Sequence, residues 1–306
     1  MKQLSVLLFA LILLLPAAAA SCGGGNGLVN LTHDSHTQDM WPSWSPDGGR
    51  IVFLSGTVDI SGDPPFMTMI DSGIYIMDAD GSNRTLAISP PIGIRSPSWS
   101  PDGRRIVFAV DYRGGISTVG IDGTNPIPVV SQMGQYNITD WPSYSPDGSK
   151  IMFAADLGEG WQLFVVESDG GNESCLSPPD VDDMSPAWSP DGTRIAFDSK
   201  RAGLPEIYVM NADGGNPVRL TENMFKDLAP TWSPDGSRIA FVSTRDGKAD
   251  IYIMRSDGSN VTRLTDNDIA EIDPEWSPDG RKIVFCGYRE DGGQPDIYTV
   301  DVPADM

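Results

Sequence analysis

Short apolar runs alternate with tight-turn signals along most of this chain, and the pattern repeats six times. The recurring tag is Ser-Pro-Asp-Gly, and its copies begin at Ser45, Ser100, Ser145, Ser189, Ser233 and Ser277. An aromatic residue precedes each copy, and a strand-like run such as Ile239-Ala240-Phe241 follows it. Proline presets φ for the turn and glycine accepts a left-handed backbone, so each tag predicts a hairpin between two short strands. Repetition at this period is typical of propellers and other repeat folds.

Every repeat also contains a second hairpin. Its clearest copy runs from Ile251-Tyr252-Ile253-Met254 through the turn Asp257-Gly258 to Leu264-Thr265. Five such fourth strands follow the six tags, and the segment from Leu28 to Thr32, ahead of the first tag, supplies the sixth. A ring closed in this way pairs a sheet edge that is otherwise exposed. The sequence therefore predicts an all-β fold: a six-bladed β-propeller of 24 antiparallel strands at residues 28–302, with the N-terminal strand completing the last blade and a tail at 303–306.

This repeat resembles that of the TolB-type, WD-like propellers. The resemblance rests on Pro230-Thr231-Trp232-Ser233-Pro234-Asp235-Gly236, Asp250-Ile251-Tyr252-Ile253-Met254 and Arg263-Leu264-Thr265, and it extends over essentially the whole chain after the leader. It implies the propeller fold and a role in complexes of the bacterial cell envelope. Similar repeats occur in the propeller domains of prolyl-oligopeptidase-like and tricorn-like proteins. Because one fold carries many activities, the resemblance is specific for the fold and much less so for the function.

The N-terminal segment has the organisation of an export signal. Residues 1–21 contain Lys2, an apolar run from Val6 to Pro16, and four alanines, in the order that a secretory signal requires. Cys22 and the glycines after it resemble a bacterial lipoprotein start, which implies lipidation of Cys22 and a tether at 22–27. The expected location is the cell envelope, with a lipid anchor and the propeller facing the periplasm. Ordinary cleavage after Ala20 is the alternative, and it leaves a soluble periplasmic or secreted protein.

Composition narrows the classes of partner and chemistry. The chain has 42 acidic and 21 basic residues, a formal net charge of -21, which repels nucleic acid and anionic membrane surfaces and leaves basic or neutral partners. Two histidines and three cysteines are too few for a His/Cys zinc cage together with a His-based catalytic centre. The nucleophile elbow Gly-x-Ser-x-Gly is absent from the sequence. We therefore expect no catalytic residue, no resident metal or cofactor, and a monomer.

Candidate binding residues come from the variable loops that join fourth strands to first strands, on the face we call the channel mouth. Four carboxylates precede the proline of a first strand by three residues, and Asp140 lies beside the equivalent Thr139; the four are Asp39, Asp183, Asp227 and Glu271. One interpretation is a negative ring that attracts a basic peptide, an amine or a divalent cation. The other is that each carboxylate accepts hydrogen bonds from backbone N–H groups of its own loop or of the next blade. Both interpretations remain open.

Two tryptophans and one insertion are further candidates at the mouth. Trp41 and Trp141 lie directly before a proline, where they either stack on a partner or cover a blade edge. The segment from Ser55 to Ser72 accounts for the longer first repeat and reads as an apolar loop. It is either a docking lip or a lid packed on the propeller. Cys175 and Cys286 fall on opposite sides of the ring, so we expect no disulfide between them.

Two functions follow from these features. The first is a non-enzymatic scaffold that binds a protein or peptide at the channel mouth. The alternative is a propeller enzyme, a carbohydrate lyase or hydrolase, that acts at the same mouth through carboxylate pairs such as Asp182 with Asp183 or Asp39 with Glu271.

Overall fold

The computed structural model describes residues 27–33, 36–59, 68–89, 93–110, 115–130, 136–158, 160–289, 292–304 and 306. Within them, 24 strands form six four-stranded antiparallel sheets, which confirms the six-bladed propeller. The predicted signal at 1–21, Cys22 and most of the tether lie outside the described residues. In the part of the chain that the structure describes, no helix is long and apolar enough to cross a membrane.

Blades 1 to 3 follow one another along the chain, with four strands each. Blade 1 comprises β2 (Gln38–Trp44), β3 (Arg50–Asp59), β4 (Thr68–Asp78) and β5 (Thr85–Ile88). Blade 2 comprises β6 (Ile94–Trp99), β7 (Arg105–Val110), β8 (Ile116–Gly120) and β9 (Ile127–Val130). Blade 3 comprises β10 (Ile138–Tyr144), β11 (Lys150–Asp156), β12 (Trp161–Glu167) and β13 (Ser174–Cys175).

Blades 4 to 6 complete the ring. Blade 4 comprises β14 (Asp183–Trp188), β15 (Arg194–Ser199), β16 (Glu206–Asn211) and β17 (Val218–Arg219). Blade 5 comprises β18 (Asp227–Trp232), β19 (Arg238–Ser243), β20 (Asp250–Arg255) and β21 (Thr262–Arg263). Blade 6 comprises β22 (Ile269–Trp276), β23 (Lys282–Arg289), β24 (Asp296–Asp301) and, as its outer strand, β1 (Val29–Asn30).

The first strand of every blade stands at the centre of the ring. Each first strand contacts the first strand of the next blade, and β22 contacts β2 to close the circle. Blade 3 therefore faces blade 6 across the central axis. The N-terminal strand pairs with β24, where Val29 lies opposite Thr299 and Asn30 opposite Tyr298, so the predicted closure is confirmed.

The Ser-Pro-Asp-Gly tags are structural turns, and all six use the same hydrogen bonds. In blade 5 the Ser233 hydroxyl donates to Asp235 at 2.6 Å and accepts from the backbone N–H of Arg238 at 2.9 Å. The hydrogen bonds from Ser233 and from the backbone N–H of Ser237 lower the pKa of Asp235 to about 2. Gly236 has a φ of 69°, which explains the glycine in the tag. These acidic groups serve the fold on the face opposite the channel mouth, which we call the tight-turn face.

Apolar side chains between neighbouring blades form the core. In most blades the middle residues of the second and third strands form an aromatic pair. In blade 5, Phe241 packs on Tyr252 with ring centroids 6.0 Å apart. Five phenylalanines at equivalent positions of the second strands are fully buried: Phe53, Phe153, Phe197, Phe241 and Phe285. Each contributes roughly 3 kcal/mol or more by the usual cost of truncating such a side chain.

A bulge interrupts every first strand, directly before its proline. The strand register shifts there in all six blades. The bulged residues have a φ between 49° and 51°, although none is glycine; they are Trp41, Ser96, Trp141, Ser185, Ala229 and Asp273. Because bulges re-aim side chains, these six positions form one level of the channel, which we call the bulge ring.

The predicted long loop of blade 1 is instead mostly strand. Pairing continues beyond Ser55, with Thr57 opposite Ile70 and Asp59 opposite Thr68. The insertion therefore lengthens the β3–β4 hairpin, and the loop predicted over residues 55–72 is wrong in extent. Backbone pairing explains the difference, because a longer antiparallel ladder satisfies N–H and C=O groups that a loop leaves to water. Residues 60–67, which include most of the predicted apolar lip, lie outside the described residues.

Both ends of the described chain lie on the tight-turn face. Gly27 lies directly against the side chain of Asp301, so close that an added Cβ would clash with it. Asp301 is the last residue of β24, on that face. The carbonyl of Met306 accepts a hydrogen bond from Arg238, which follows the turn of blade 5. Whatever precedes residue 27 therefore joins the propeller on the side away from the channel mouth.

Candidate functional site

The four predicted carboxylates of the mouth are fully buried, with 0% of each residue exposed. Three of them pair with an arginine of the same blade. Asp39 lies 3.1 Å from Arg84, Asp183 2.6 Å from Arg201, and Asp227 3.0 Å from Arg245. Each carboxylate lies at or near the start of the first strand of its own blade, so the pairs are distributed over separate blades.

The arginines of these pairs also lie over aromatic rings. The guanidinium of Arg245 lies 4.7 Å from the ring centroid of Tyr252, and that of Arg201 lies 4.9 Å from Tyr208. An arginine held between a buried carboxylate and an aromatic face is fixed by both charge and packing. This arrangement is a structural clamp, and its charged partners are arginine side chains from other segments of the same blade, where the structural interpretation expected backbone N–H groups.

Glu271 occupies the same position in blade 6, and within the described residues its hydrogen-bond donors are neutral groups in place of an arginine. The hydroxyl of Thr265 and the amide of Asn267 donate to it, the latter at 2.7 Å, as does the backbone N–H of Ile251 at 3.0 Å. Burial raises the pKa of Glu271 to about 7, while the hydrogen bonds from Thr265 and Asn267 oppose that rise. Its role in the fold is to join blade 6 to blade 5.

A Ser or Thr shortly after the fourth strand is another recurring feature of the repeat, and its hydrogen bonds explain it. The hydroxyl of Thr221 accepts from the backbone N–H of Ile207 at 2.9 Å and donates to the buried carboxylate of Glu206 at 2.6 Å. Thr265, Ser177 and Thr32 make the corresponding pair of bonds in their blades. In these four repeats the Ser or Thr thus connects a third strand to a buried acid, which belongs to the same blade for Thr221 and Thr32 and to the next blade for Thr265 and Ser177.

The bulge ring brings together residues of opposite blades. Asp273 of blade 6 interacts with Trp141 of blade 3, so these side chains meet across the axis of the channel. Burial first, and then the charges of Asp140 and Asp198, raise the pKa of Asp273 to about 7. The side chain of Asp273 is partly accessible to water although it lies deep among other protein groups.

Asp140 and Asp198 lie next to this ring. Asp140 accepts a hydrogen bond from Ser96 of blade 2 and lies 3.5 Å from Arg95. Asp198 is 0% exposed and accepts from the backbone N–H of Ala229 at 3.1 Å. Burial raises the pKa of Asp198 to about 6. One oxygen of Asp198 and one of Asp273, both Oδ2, are buried and receive no hydrogen bond from the described protein groups.

The two predicted tryptophans are half-buried and have different neighbours. Trp41 packs against the apolar cluster between blades 1 and 2. Trp141 packs against the cluster between blades 3 and 4, and its ring centroid lies 5.5 Å from that of Trp161. Each therefore covers a blade edge and also presents part of its surface at the bulge ring.

Exposed apolar side chains mark the mouth in blades 3 to 5. Met224 is 84% exposed and Phe225 41%, in the loop from β17 to β18. Leu204 and Leu157, in the loops between second and third strands, are 45% and 39% exposed on the same face. We call these four residues the mouth patch. Every other large apolar residue found exposed in the described chain lies on or beside a fourth strand at the outer rim.

Sequence reasoning missed Asp198, Asp273 and the mouth patch. A signal for Asp198 was present, because its position in the second strand is apolar in the other blades; these residues are Leu54, Ala109, Ala154, Val242 and Cys286. Asp273 was hidden because the bulge that aims it into the channel has no glycine to reveal it. Among the described residues, no cluster of three histidines, cysteines or acids could hold a metal ion.

The buried acids make the stability of the protein depend on pH. Glu275, also in β22, accepts a hydrogen bond from the backbone N–H of Trp44 at 3.0 Å, and burial raises its pKa to about 7. Native pKa values of about 7 for Glu271, Asp273 and Glu275 and about 6 for Asp198 lie above the ordinary values near 4 of an unfolded chain. Groups with a raised native pKa stabilise the fold fully below pH 4, and this contribution is lost as the pH rises through 7. We expect the free energy of unfolding to fall by about 2 kcal/mol or more from pH 5 to pH 8, measured by urea denaturation. A free energy of unfolding that stays constant or rises from pH 5 to pH 8 contradicts the raised native pKa values of these acids.

Comparisons with known proteins agree with this architecture. A family model described as the TolB beta propeller domain (PD40) matches residues 68–228 and 220–305. A putative TolB from Agrobacterium tumefaciens is 25% identical, with a TM-score of 0.62, over 72% of this chain and 95% of that one. TolB from Acinetobacter baumannii is 23% identical, with a TM-score of 0.64, over 83% of this chain and 64% of that one.

The similarity to curated relatives covers only part of each protein. The uncharacterized peptidase YuxL of Bacillus subtilis is 30% identical over 110 residues, which is 29% of this chain and 15% of the relative. A second relative, the uncharacterized protein Atu1656 of Agrobacterium fabrum, matches over 28% of its own length. This chain therefore spans less than a third of the curated relatives that it matches.

Proposed function

The chain belongs to the TolB beta propeller domain family, and from this premise we propose that it is a non-enzymatic scaffold that binds a protein or peptide at the channel mouth. The single observation that carries the proposal is the mouth patch. Among the described residues, exposed large apolar side chains away from the outer rim gather on this face alone. Exposed apolar groups on a rigid face are typical of protein interaction sites.

The predicted site residues contribute to this proposal in two ways. Trp41 and Trp141 offer partly exposed rings at the bulge ring, within the channel below the patch. The carboxylates Asp39, Asp140, Asp183, Asp227 and Glu271 hold the mouth loops and the first strands in position. Since the net charge is -21, long-range attraction favours a partner with a basic surface.

The burial of the mouth carboxylates also supports a role in binding over a role in catalysis. A general acid and base must reach the substrate, and the carboxylates of the predicted pair Asp39 and Glu271 are both 0% exposed. The resemblance of the repeat to TolB-type propellers points in the same direction, toward the complexes of the cell envelope.

We further propose that the protein is exported to the bacterial envelope and anchored there through Cys22. Because residue 27 joins the tight-turn face, a lipid anchor ahead of it holds that face toward the membrane and leaves the channel mouth accessible to partners. Five residues between Cys22 and Leu28 reach at most about 18 Å when fully extended. Mass spectrometry of the mature N-terminus tests the acylation, and an unmodified Cys22 or cleavage after Ala20 rejects it.

Capture of partners from the native envelope tests the binding function. We expect Met224→Ser with Phe225→Ser to lose most of the protein that the wild type recovers, because the variant removes the two most prominent apolar groups of the mouth. The matched control is Leu86→Ser with Val218→Ser, which removes two similarly exposed apolar groups from the outer rim. Equal recovery by the mouth variant, or loss in the rim control, rejects the mouth patch as the binding surface. If the wild type cleaves a polysaccharide from a panel and Asp183→Asn abolishes that cleavage, the protein is an enzyme and the scaffold proposal is wrong.

A further inference from the structure

The bulge ring combines a carboxylate with two indoles at one level of the channel. Trp41, Trp141 and Asp273 occupy three of its six positions, and the others carry the small residues Ser96, Ser185 and Ala229. All three larger side chains are partly exposed. Asp273 and Trp141 come from opposite blades and lie close together across the channel, and we call this pair the floor.

Two of the acids around this floor each have one buried oxygen without a hydrogen bond from the described residues, whereas Asp140 is paired with Arg95. Asp198 is completely buried, and its Oδ2 receives no hydrogen bond from the described residues; the same holds for Oδ2 of Asp273. The charges of Asp198 and Asp140 both act on Asp273. A buried carboxylate without a full set of donors is costly to the fold, so its presence calls for a cationic group.

Repeat symmetry indicates that neither acid is needed to build a blade. The position of Asp198 carries alanine in blades 2 and 3, at Ala109 and Ala154. The position of Asp273 carries Ser96, Ser185 or Ala229 in three other blades. Residues that break the repeat at a cost in stability, and that lie close enough to interact, are expected at functional sites.

The chemistry favours an organic cation over a metal ion. A divalent metal requires several oxygen ligands at 2.0 to 2.6 Å, roughly, and no group of three acids among the described residues is arranged to hold one. An ammonium group needs only a few acceptors at about 2.8 Å, and it is also attracted to indole faces. Both kinds of contact are present at the bulge ring.

We propose that the channel is a binding site for a primary ammonium group, which contacts Asp273 and the indoles of Trp41 and Trp141 on the mouth side of the floor. Asp140 and Asp198 supply additional negative charge from behind the ring. The site accepts a lysine side chain, an N-terminal amine or a free alkylamine by the same chemistry. This proposal does not rest on the partner-binding function, because the site is complete in the propeller itself.

Calorimetric titration with n-butylammonium tests the site, in a buffer that contains no other amine. We expect saturable binding to the wild type and none of 1-pentanol, a neutral compound of similar size. Asp273→Ser, which places the residue of blades 2 and 4 at this position, should weaken n-butylammonium binding about tenfold or more, because a charge-assisted hydrogen bond is lost. Asp122→Asn removes one negative charge from an exposed turn on the opposite face and should bind like the wild type.

A second measurement separates a binding role from a structural one. We expect Asp198→Ala and Asp273→Ser to unfold at the same temperature as the wild type or higher without the amine, and n-butylammonium to raise the midpoint of the wild type alone. Loss of folding in both variants means that the acids are structural and overturns the proposal. Absence of saturable amine binding, equal binding by Asp273→Ser, or binding of calcium chloride without binding of the amine overturns it as well.

Discussion

Replacing Asp227 by alanine should destabilise the propeller by about 3 to 5 kcal/mol, because it leaves the partner arginine of a buried ion pair without its carboxylate. The carboxylate is 0% exposed, lies 3.0 Å from Arg245 and also accepts from the amide of Asn223 at 2.7 Å. Urea denaturation measures the change in the free energy of unfolding. Such a loss identifies the carboxylate as part of the fold, whatever it also does at the mouth.

The double variant Asp227→Ala with Arg245→Ala distinguishes pairing from packing. We expect it to be more stable than the Asp227→Ala variant alone, since it leaves no unpaired charge, although contact of the arginine with Tyr252 is lost. Strict additivity of the two single changes means that the two side chains do not interact. A wild-type stability for Asp227→Ala contradicts the clamp altogether.

Removal of the N-terminal strand should have a comparable or larger effect. A chain that begins at residue 34 lacks β1, which pairs with β24 and closes the ring. It also lacks Leu31, which packs in the core between blades 6 and 1, and the hydroxyl of Thr32, which donates to the buried Asp296 at 3.1 Å. We expect a loss of about 4 kcal/mol or more, together with association through the exposed edge of β24.

The matched control is a chain that begins at residue 27, which keeps every contact of β1. We expect it to have the stability of the longer protein in urea denaturation and to elute as a monomer in size-exclusion chromatography. If the chain that begins at residue 34 is equally stable and equally monomeric, closure by β1 does not hold the ring together.

Repetition explains why the architecture was accessible from the sequence. Six Ser-Pro-Asp-Gly tags predict six hairpins, because the serine and aspartate hydrogen bonds of each turn are local. Ring closure was also predictable, since the segment ending at Thr32 has the same Ser/Thr ending as the segment at Leu264-Thr265. The extension of β3 and β4 was not, because Gly62, Pro64 and Pro65 predict a turn but do not tell how far residues on either side, such as Thr57 and Ile70, pair as strands.

The candidate site was only partly predictable, because its contacts are not local. The repeat located Asp39 and Asp183 at equivalent positions, but their partners differ in sequence separation: Arg201 lies 18 residues after its acid and Arg84 lies 45 residues after its own. Burial of these acids therefore could not be deduced from spacing. The bulge was hidden for another reason, since a residue before proline normally adopts an extended conformation and Trp141 instead has a φ of 49°.

The most direct test of the central claim is site-specific photo-crosslinking in the native envelope, since it reports which face of the propeller a partner touches. A photo-reactive side chain in place of Phe225 probes the mouth patch, and one in place of Thr124 probes an exposed turn on the opposite face. We predict a discrete protein adduct from position 225 and none from position 124. An adduct from position 124 without one from position 225 contradicts partner binding at the channel mouth.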